Sequence, residues 1–395
     1  MINDTLLRIL FAFVVFASFG PTKETLAQDA EKCIQPYADF SYPVNEPYAR
    51  QDKLPEVFPS SPWVVEADAP ANMAAFAVEL VEAREGYAVV WGRQTEEIAS
   101  PDGLNYYYPN EQVVFWRYRT DRKVWHKVQG SETLLTLNQE QTVRLLKMAD
   151  GAIWRVLGNN FERYSEAGDR FETVWAAPVG AADPVSALQT DAQNTFWFIW
   201  NDRLYRFDPH TGQPQMLYDP GGALSDLALA PNGDVFLLRK DTKQLIYFSP
   251  QKQQARTLEV DFSTVSLAPA FMDDRYPSEL FMDHLGRLWV HDYGWLEPGN
   301  DAMRAEYLWY QMMPAAVFVS ANVQGARSYV KETPSILLES ADGLLWFRSS
   351  NGLTWLDPQQ GKWCWFTTVD TAVVEDGRHN LWLTAGAKLF WHAAR

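Results

Sequence analysis

The chain has 395 residues, 47% hydrophobic and 21% charged, which excludes a disordered chain and leaves room for two or three ordinary domains or one large repeat array. Its formal net charge is -16, from 34 basic and 50 acidic residues, so nucleic acid and anionic lipid surfaces are poor partners. Seventeen Trp, 17 Tyr and 22 Phe supply many planar side chains to bury between packed sheets.

The first 27 residues read as an export signal. Arg8 precedes an apolar run, Ile9 to Phe19, that is too short to span a bilayer, and Thr25-Leu26-Ala27 places small residues for cleavage after Ala27. Retention as an uncleaved anchor is the alternative. The mature chain is then expected to be secreted or periplasmic, with no membrane span. Residues 28–60 follow as an arm whose spaced prolines (Pro36, Pro43, Pro47, Pro55 and Pro59) forbid a regular helix or a central strand. Cys33 and Cys364 are the two cysteines; in an oxidising compartment they suit one disulfide, with two free thiols as the alternative.

Residues 61–395 read as one domain. Trp63 to Glu66 is a short strand, and one pattern then recurs. An apolar strand leads to a polar turn, commonly Asp-Gly or Asn-Gly, and the next strand carries a central aromatic: Trp91, Trp154, Trp197, Phe236, Trp289, Trp346 and Trp382. A third strand follows, such as Leu204 to Phe207 or Leu353 to Leu356, and in most units a fourth. In the fifth unit the third strand is placed at Tyr307-Leu308-Trp309. Seven units of four short antiparallel strands predict an all-β fold, a seven-bladed β-propeller, with the aromatics packed between blades. The last unit ends at Arg395 without a fourth strand, so Trp63 to Glu66 is expected to complete it and close the ring. Cys364 falls on the outer strand of the sixth unit, close to where the arm carrying Cys33 arrives, which favours the disulfide.

Asp342-Gly343, Leu345-Trp346, Asn351-Gly352-Leu353, Asp357-Pro358 and Gly361 follow in an order that resembles the two-component regulator propeller repeat. Asp191, Phe196-Trp197, Leu204, Asp208-Pro209 and Gly212 match nearly as well, and the resemblance covers roughly residues 72–395. It implies a propeller of the kind found in extracellular sensor domains. The units are more distantly similar to those of streptogramin lyases, which use a catalytic histidine with a metal and whose Ile-Gly-Arg-Ile-like strands this chain lacks.

Four segments exceed the minimal repeat: 93–112, 261–276, 291–305 and 320–333. Placed between second and third strands or between units, they are expected at one mouth of the channel, where repeat insertions present binding residues. They carry Tyr106, Tyr107 and Tyr108; Asp273, Asp274, Arg275 and Tyr276; His291, Asp292 and Trp295; Arg327 and Tyr329. Aromatic faces beside carboxylates and arginines suit sugar rings or a cationic ligand, although the same rings could simply pack the loops down. Of the six histidines only His291 reaches that mouth, which disfavours a zinc site or a nucleophile-base pair. No cofactor is expected, with calcium held by carboxylates left open. The reading is an exported, monomeric, non-catalytic propeller that binds an extracellular ligand, with carbohydrate a candidate, or a protein partner. The alternative is a lyase or hydrolase acting on a sugar or small molecule through carboxylates at the same mouth.

Overall fold

The computed structural model describes residues 32–34, 64–70, 76–98, 110–135, 143–178, 184–242, 244–258, 279–290, 294–297, 308–311, 317–321, 327–331, 335–349, 352–357, 362–366, 373–385 and 388–393. Every regular element among them is a strand. Strands consecutive in sequence pair antiparallel. The second sheet runs Val143–Lys147, Ile153–Leu157, Asn160–Ser165, Arg170–Ala176; the third Ser186–Thr190, Phe196–Trp200, Arg203–Asp208, Gln213–Tyr218; the fourth Leu224–Leu229, Val235–Arg239, Leu245–Ser249, Gln254–Leu258. The first sheet, Phe76–Arg84, Tyr87–Ile98, Asn110–Arg119 and Val124–Lys127, has Thr133–Leu135 added beside its third strand. The sixth, Ser335–Glu339, Leu345–Ser349, Gly352–Asp357 and Lys362–Phe366, gains Lys32–Ile34 at its outer edge. The last sheet takes three strands from the C-terminal end, Val373–Glu375, Leu381–Ala385 and Lys388–His392, and its fourth, Val64–Asp68, from the N-terminal side.

Neither face of such a sheet can face water alone, and the cores lie between neighbouring sheets. Trp91, Val113 and Phe115 of the first sheet pack on Val143, Leu145 and Ile153 of the second. Trp154 and Phe161 meet Phe196, Phe198 and Phe207 of the third, with Phe161 and Phe196 edge to face at 5.0 Å. Trp197, Leu204 and Ile199 pack on Leu227, Leu237 and Phe248; Phe236 and Tyr247 pack on Leu280, Leu288 and Leu296. Trp346 and Trp355 pack on Leu381, Leu383 and Phe390, and Val78, Val81 and Tyr118 of the first sheet pack on Trp382 and Leu389 of the last. The seven repeated aromatics are all buried.

One five-residue turn joins the first two strands in every sheet from the second to the last, at residues 148–152, 191–195, 230–234, 283–287, 340–344 and 376–380. In each, the first N–H donates to the fifth carbonyl, and the fourth N–H donates to the first carbonyl. The fourth residue has positive φ: Gly151, Asn194, Gly233, Gly286, Gly343 and His379. In the last sheet the left-handed position is therefore His379 (φ 65°), not the Gly377 that an Asp-Gly turn suggests. The first sheet instead turns tightly at Glu85-Gly86.

The fifth sheet departs from the sequence expectation. Its third strand is Gly294–Glu297, reached by a short connection from Leu288–Val290, and Leu308–Gln311 is the fourth. Leu296 stands opposite Leu288 and fills the core beside it, which fixes this register. The extra length, 298–307, thus lies between third and fourth strands, at the opposite end from the one expected. In the first sheet much of 93–112 is strand: Tyr87–Ile98 and Asn110–Arg119 stay paired out to Ile98 and Asn110, a ribbon projecting from the sheet. The segment 320–333 contains part of a separate hairpin, Val317–Ala321 with Arg327–Lys331.

The shared turn yields a paired prediction. His379 holds a left-handed backbone that costs a side-chain residue about 1 kcal/mol, and its exposed ring lies 3.4 Å from Glu375, a contact of little worth. His379→Gly should stabilise the protein by about 1 kcal/mol. Gly286→Ala, at the same turn position (φ 78°), should destabilise it by about that amount in equilibrium denaturation.

Candidate functional site

The two ends of the strands are built differently. At one end three of the five-residue turns use an aspartate to tie their own N–H groups to an indole. Asp283 Oδ1 accepts the N–H groups of Leu285 and Arg287 at 3.0 and 2.8 Å, and Oδ2 accepts Trp289 Nε1 at 2.9 Å and Arg287 Nε at 2.6 Å. Asp191 and Asp376 repeat the arrangement, with their Oδ2 atoms 2.7 Å from Trp197 Nε1 and 2.9 Å from Trp382 Nε1. Ser340 Oγ takes Trp346 Nε1 at 3.0 Å, and in the first sheet Glu82 takes Trp91 Nε1 at 2.6 Å. A cleft of about 200 Å³ opens near this end between the first and last sheets, lined by Glu66, Tyr87, Arg378, Asn380, Trp382 and Trp391. Its charged groups are engaged: Glu66 accepts from Tyr118 Oη (3.1 Å) and Lys123, and Arg378 donates to the Arg84 carbonyl.

At the other end lie the connections between second and third strands and between sheets. There the Tyr87–Ile98/Asn110–Arg119 ribbon projects, and there the segments before Leu280 and before Ser335 arrive. The first strands of neighbouring sheets touch, third on fourth and fourth on fifth. Side chain to backbone bonds link them. Arg144 Nη1 donates to Leu188 O at 3.4 Å; Gln189 Nε2 donates to Leu227 O at 2.9 Å while its Oε1 accepts Leu229 N–H at 3.1 Å; Asp226 Oδ2 accepts Leu280 N–H at 2.5 Å.

Arg144 and Asp226 lie in the first half of their strands and Glu279 directly precedes Leu280, so all three belong to the end away from the tight turns. Burial pushes the Asp226 carboxyl up to about 7; the Leu280 and Leu227 N–H groups hold it down, Glu279 adds a further push and Arg144 opposes it. A carboxyl poised there can accept or give up a proton near neutrality. Among the described residues no group of three or more His, Cys, Asp or Glu could hold a metal ion.

Most residues expected at this mouth, Tyr106, Tyr107, Tyr108, Asp273, Asp274, Arg275, Tyr276, His291 and Asp292, lie outside the described residues. Arg327 and Tyr329 are on one face of the separate hairpin, opposite Ala321 and Val319. Trp295 belongs to the third strand of the fifth sheet, opposite Trp289, and not to an insertion. Sequence reasoning missed Arg144, Asp226 and Glu279. The available signal was a charge in the first half of a first strand, as in Val143–Lys147 and Leu224–Leu229.

No family model matches the chain, and no curated protein matches it. Among solved structures it is similar to a streptogramin B lyase, with 11% identity over 83% of this chain and 97% of that one and a TM-score of 0.50. The chain has a β-propeller fold. It is also similar to virginiamycin B lyase from Staphylococcus aureus (11% identity, 83% and 98% covered, TM-score 0.49). A further similar structure is the extracellular domain of a one-component system from B. thetaiotaomicron (14% identity, 84% of this chain and 53% of that one, TM-score 0.35). At these identities the likeness is one of fold.

The Asp226 carboxyl sets a pH dependence. Its folded value of about 7 lies above the ordinary 3.8, so between those values the folded propeller holds a proton that the unfolded chain has released. Its contribution to stability is complete below about pH 4 and is lost as pH rises through 7. Asp226→Asn keeps an acceptor for Leu280 N–H and should flatten the fall in unfolding midpoint between pH 5 and pH 8 relative to wild type. Parallel slopes would show that the carboxyl does not titrate in this range.

Proposed function

We propose that the chain is an exported, non-catalytic, seven-bladed β-propeller that binds an extracellular ligand or protein partner at the mouth opposite its tight turns. In this reading the N-terminal strand Val64–Asp68 completes the last blade and closes the ring, as its pairing with Lys388–His392 allows. The signal-like first 27 residues support export, and the acidic charge argues against nucleic acid. The supporting observation is the asymmetry of the ends. At one end Asp191, Asp283 and Asp376 are engaged by their own turns and indoles, while the long ribbon of the first sheet and two of the long connections belong to the other. A rigid scaffold presenting loops at one end is the arrangement of a binding surface. Aromatics with acids and Arg in those loops favour a carbohydrate or a cationic ligand.

A second reading, a carbohydrate- or small-molecule-active enzyme at the same mouth, draws on Asp226, whose carboxyl titrates near neutrality as a general acid or base must. One experiment separates them. The mature chain is screened against glycan and metabolite arrays, together with variants in which residues 99–109 or 322–326 are replaced by short Gly-Ser linkers. A binder loses about tenfold or more in affinity in a loop variant while its unfolding midpoint holds. Unchanged affinity in both would remove the mouth from consideration. If an array compound is turned over, Asp226→Asn should abolish turnover and keep affinity under the enzyme reading.

A further inference from the structure

We propose that Cys33 and Cys364 are a covalent modification site, a disulfide that fastens the N-terminal arm across the junction between the sixth and last sheets. Lys32–Ile34 runs antiparallel to Lys362–Phe366, and Cys33 stands directly opposite Cys364, flanked by Lys32 opposite Trp365 and Ile34 opposite Trp363. Directly opposed residues of an antiparallel pair have Cα atoms about 4.5 or 5.5 Å apart, and both spacings lie within the roughly 4.4–6.8 Å that a disulfide spans.

The register also places the pair on a particular face. Leu338, Trp346, Trp355, Cys364 and Cys33 are opposed in turn across the sixth sheet, and residues opposed in this way share a face. Trp346 and Trp355 of that row pack on Val373, Leu381, Leu383 and Phe390. The cysteine pair therefore extends, at the outer edge, the row of opposed positions that holds Trp346 and Trp355. The same arm then supplies Val64–Asp68 to the outer edge of that last sheet. One segment thus holds the margins of two neighbouring sheets, and a bond at Cys33 makes the first attachment covalent. It fixes a three-residue strand that hydrogen bonds alone would hold weakly.

The chemistry is dithiol oxidation. Each thiol loses a proton, the S–S bond forms, and the two electrons pass to the disulfide of a thiol-disulfide oxidoreductase, which leaves as a dithiol. The inference rests on the export reading, because an oxidising compartment must supply that reaction. The full chain recovered from such a compartment is digested without reductant and its peptides are mapped by mass spectrometry. The expected product is a linked peptide pair joining residues 33 and 364, with the intact mass short of two hydrogens. Adding reductant, or replacing Cys33→Ser, should lower the unfolding midpoint by at least about 5 °C and speed hydrogen exchange across 362–366. Two free thiols in the exported chain, or a linked chain whose midpoint and exchange ignore reductant, would overturn the proposal. If the chain is not exported yet links the same residues on oxidation in vitro, export fails and the latch stands.

Discussion

A carboxylate shared between a turn and an indole is the interaction on which the rest of this molecule depends. In Asp191, Asp283 and Asp376, one oxygen collects the two N–H groups that the turn leaves pointing inward, and the other takes the Nε1–H of the Trp six residues on. Each indole N–H would otherwise sit in the buried core without a partner, a cost of about 1–3 kcal/mol. The shared acceptor removes that cost and sets the angle at which the indole enters the core between neighbouring sheets. In three further sheets a different residue makes a comparable bond. Ser340 replaces the carboxylate for Trp346, Glu82 reaches Trp91 from within its strand, and in the fourth sheet, where Phe236 has no N–H to offer, Asp234 accepts the buried Tyr247 hydroxyl instead.

That interaction also distinguishes the two ends of the strands, since it belongs to the end of the five-residue turns. A turn whose carboxylate is already saturated has little to give a ligand. The opposite end carries the projecting ribbon of the first sheet, and there the charges of Glu279 and Arg144 act on the Asp226 carboxyl. Arg144, Asp226 and Glu279 come from three different sheets, and the Asp226 carboxyl ties the fourth sheet to the fifth through Leu280 N–H.

The architecture was legible because its determinants are local. An acidic or small polar residue, a left-handed residue three positions later and an indole six positions later form a pattern that needs no long-range knowledge, and Asp191, Asp283 and Ser340 with their Trp partners carry it. The strand expected at Trp63 to Glu66 and found at Val64–Asp68 was legible for a topological reason, since the last unit showed three strands where the others show four. What escaped was set by tertiary contact. Tyr307-Leu308-Trp309 has the look of a third strand, but Leu296 opposite Leu288 claims that place and moves the extra length to the other end. Arg144 and Asp226 read as ordinary strand charges until the sheets next to them supply their partners, Leu188 O and Leu280 N–H. In the turn of the last sheet, Asp376-Gly377 hides that His379 bears the left-handed backbone.

The central claim, that the carboxylate and the indole act as one unit, is tested most directly by a double-mutant cycle at Asp376 and Trp382. Unfolding free energies are measured for wild type, Asp376→Ala, Trp382→Phe and the double variant. The bond at 2.9 Å, buried and charge-assisted, predicts a coupling of about 1–2 kcal/mol, with the double variant less destabilised than the sum of the two single ones. Strict additivity would contradict the account and leave the turn and the indole as independent contributors.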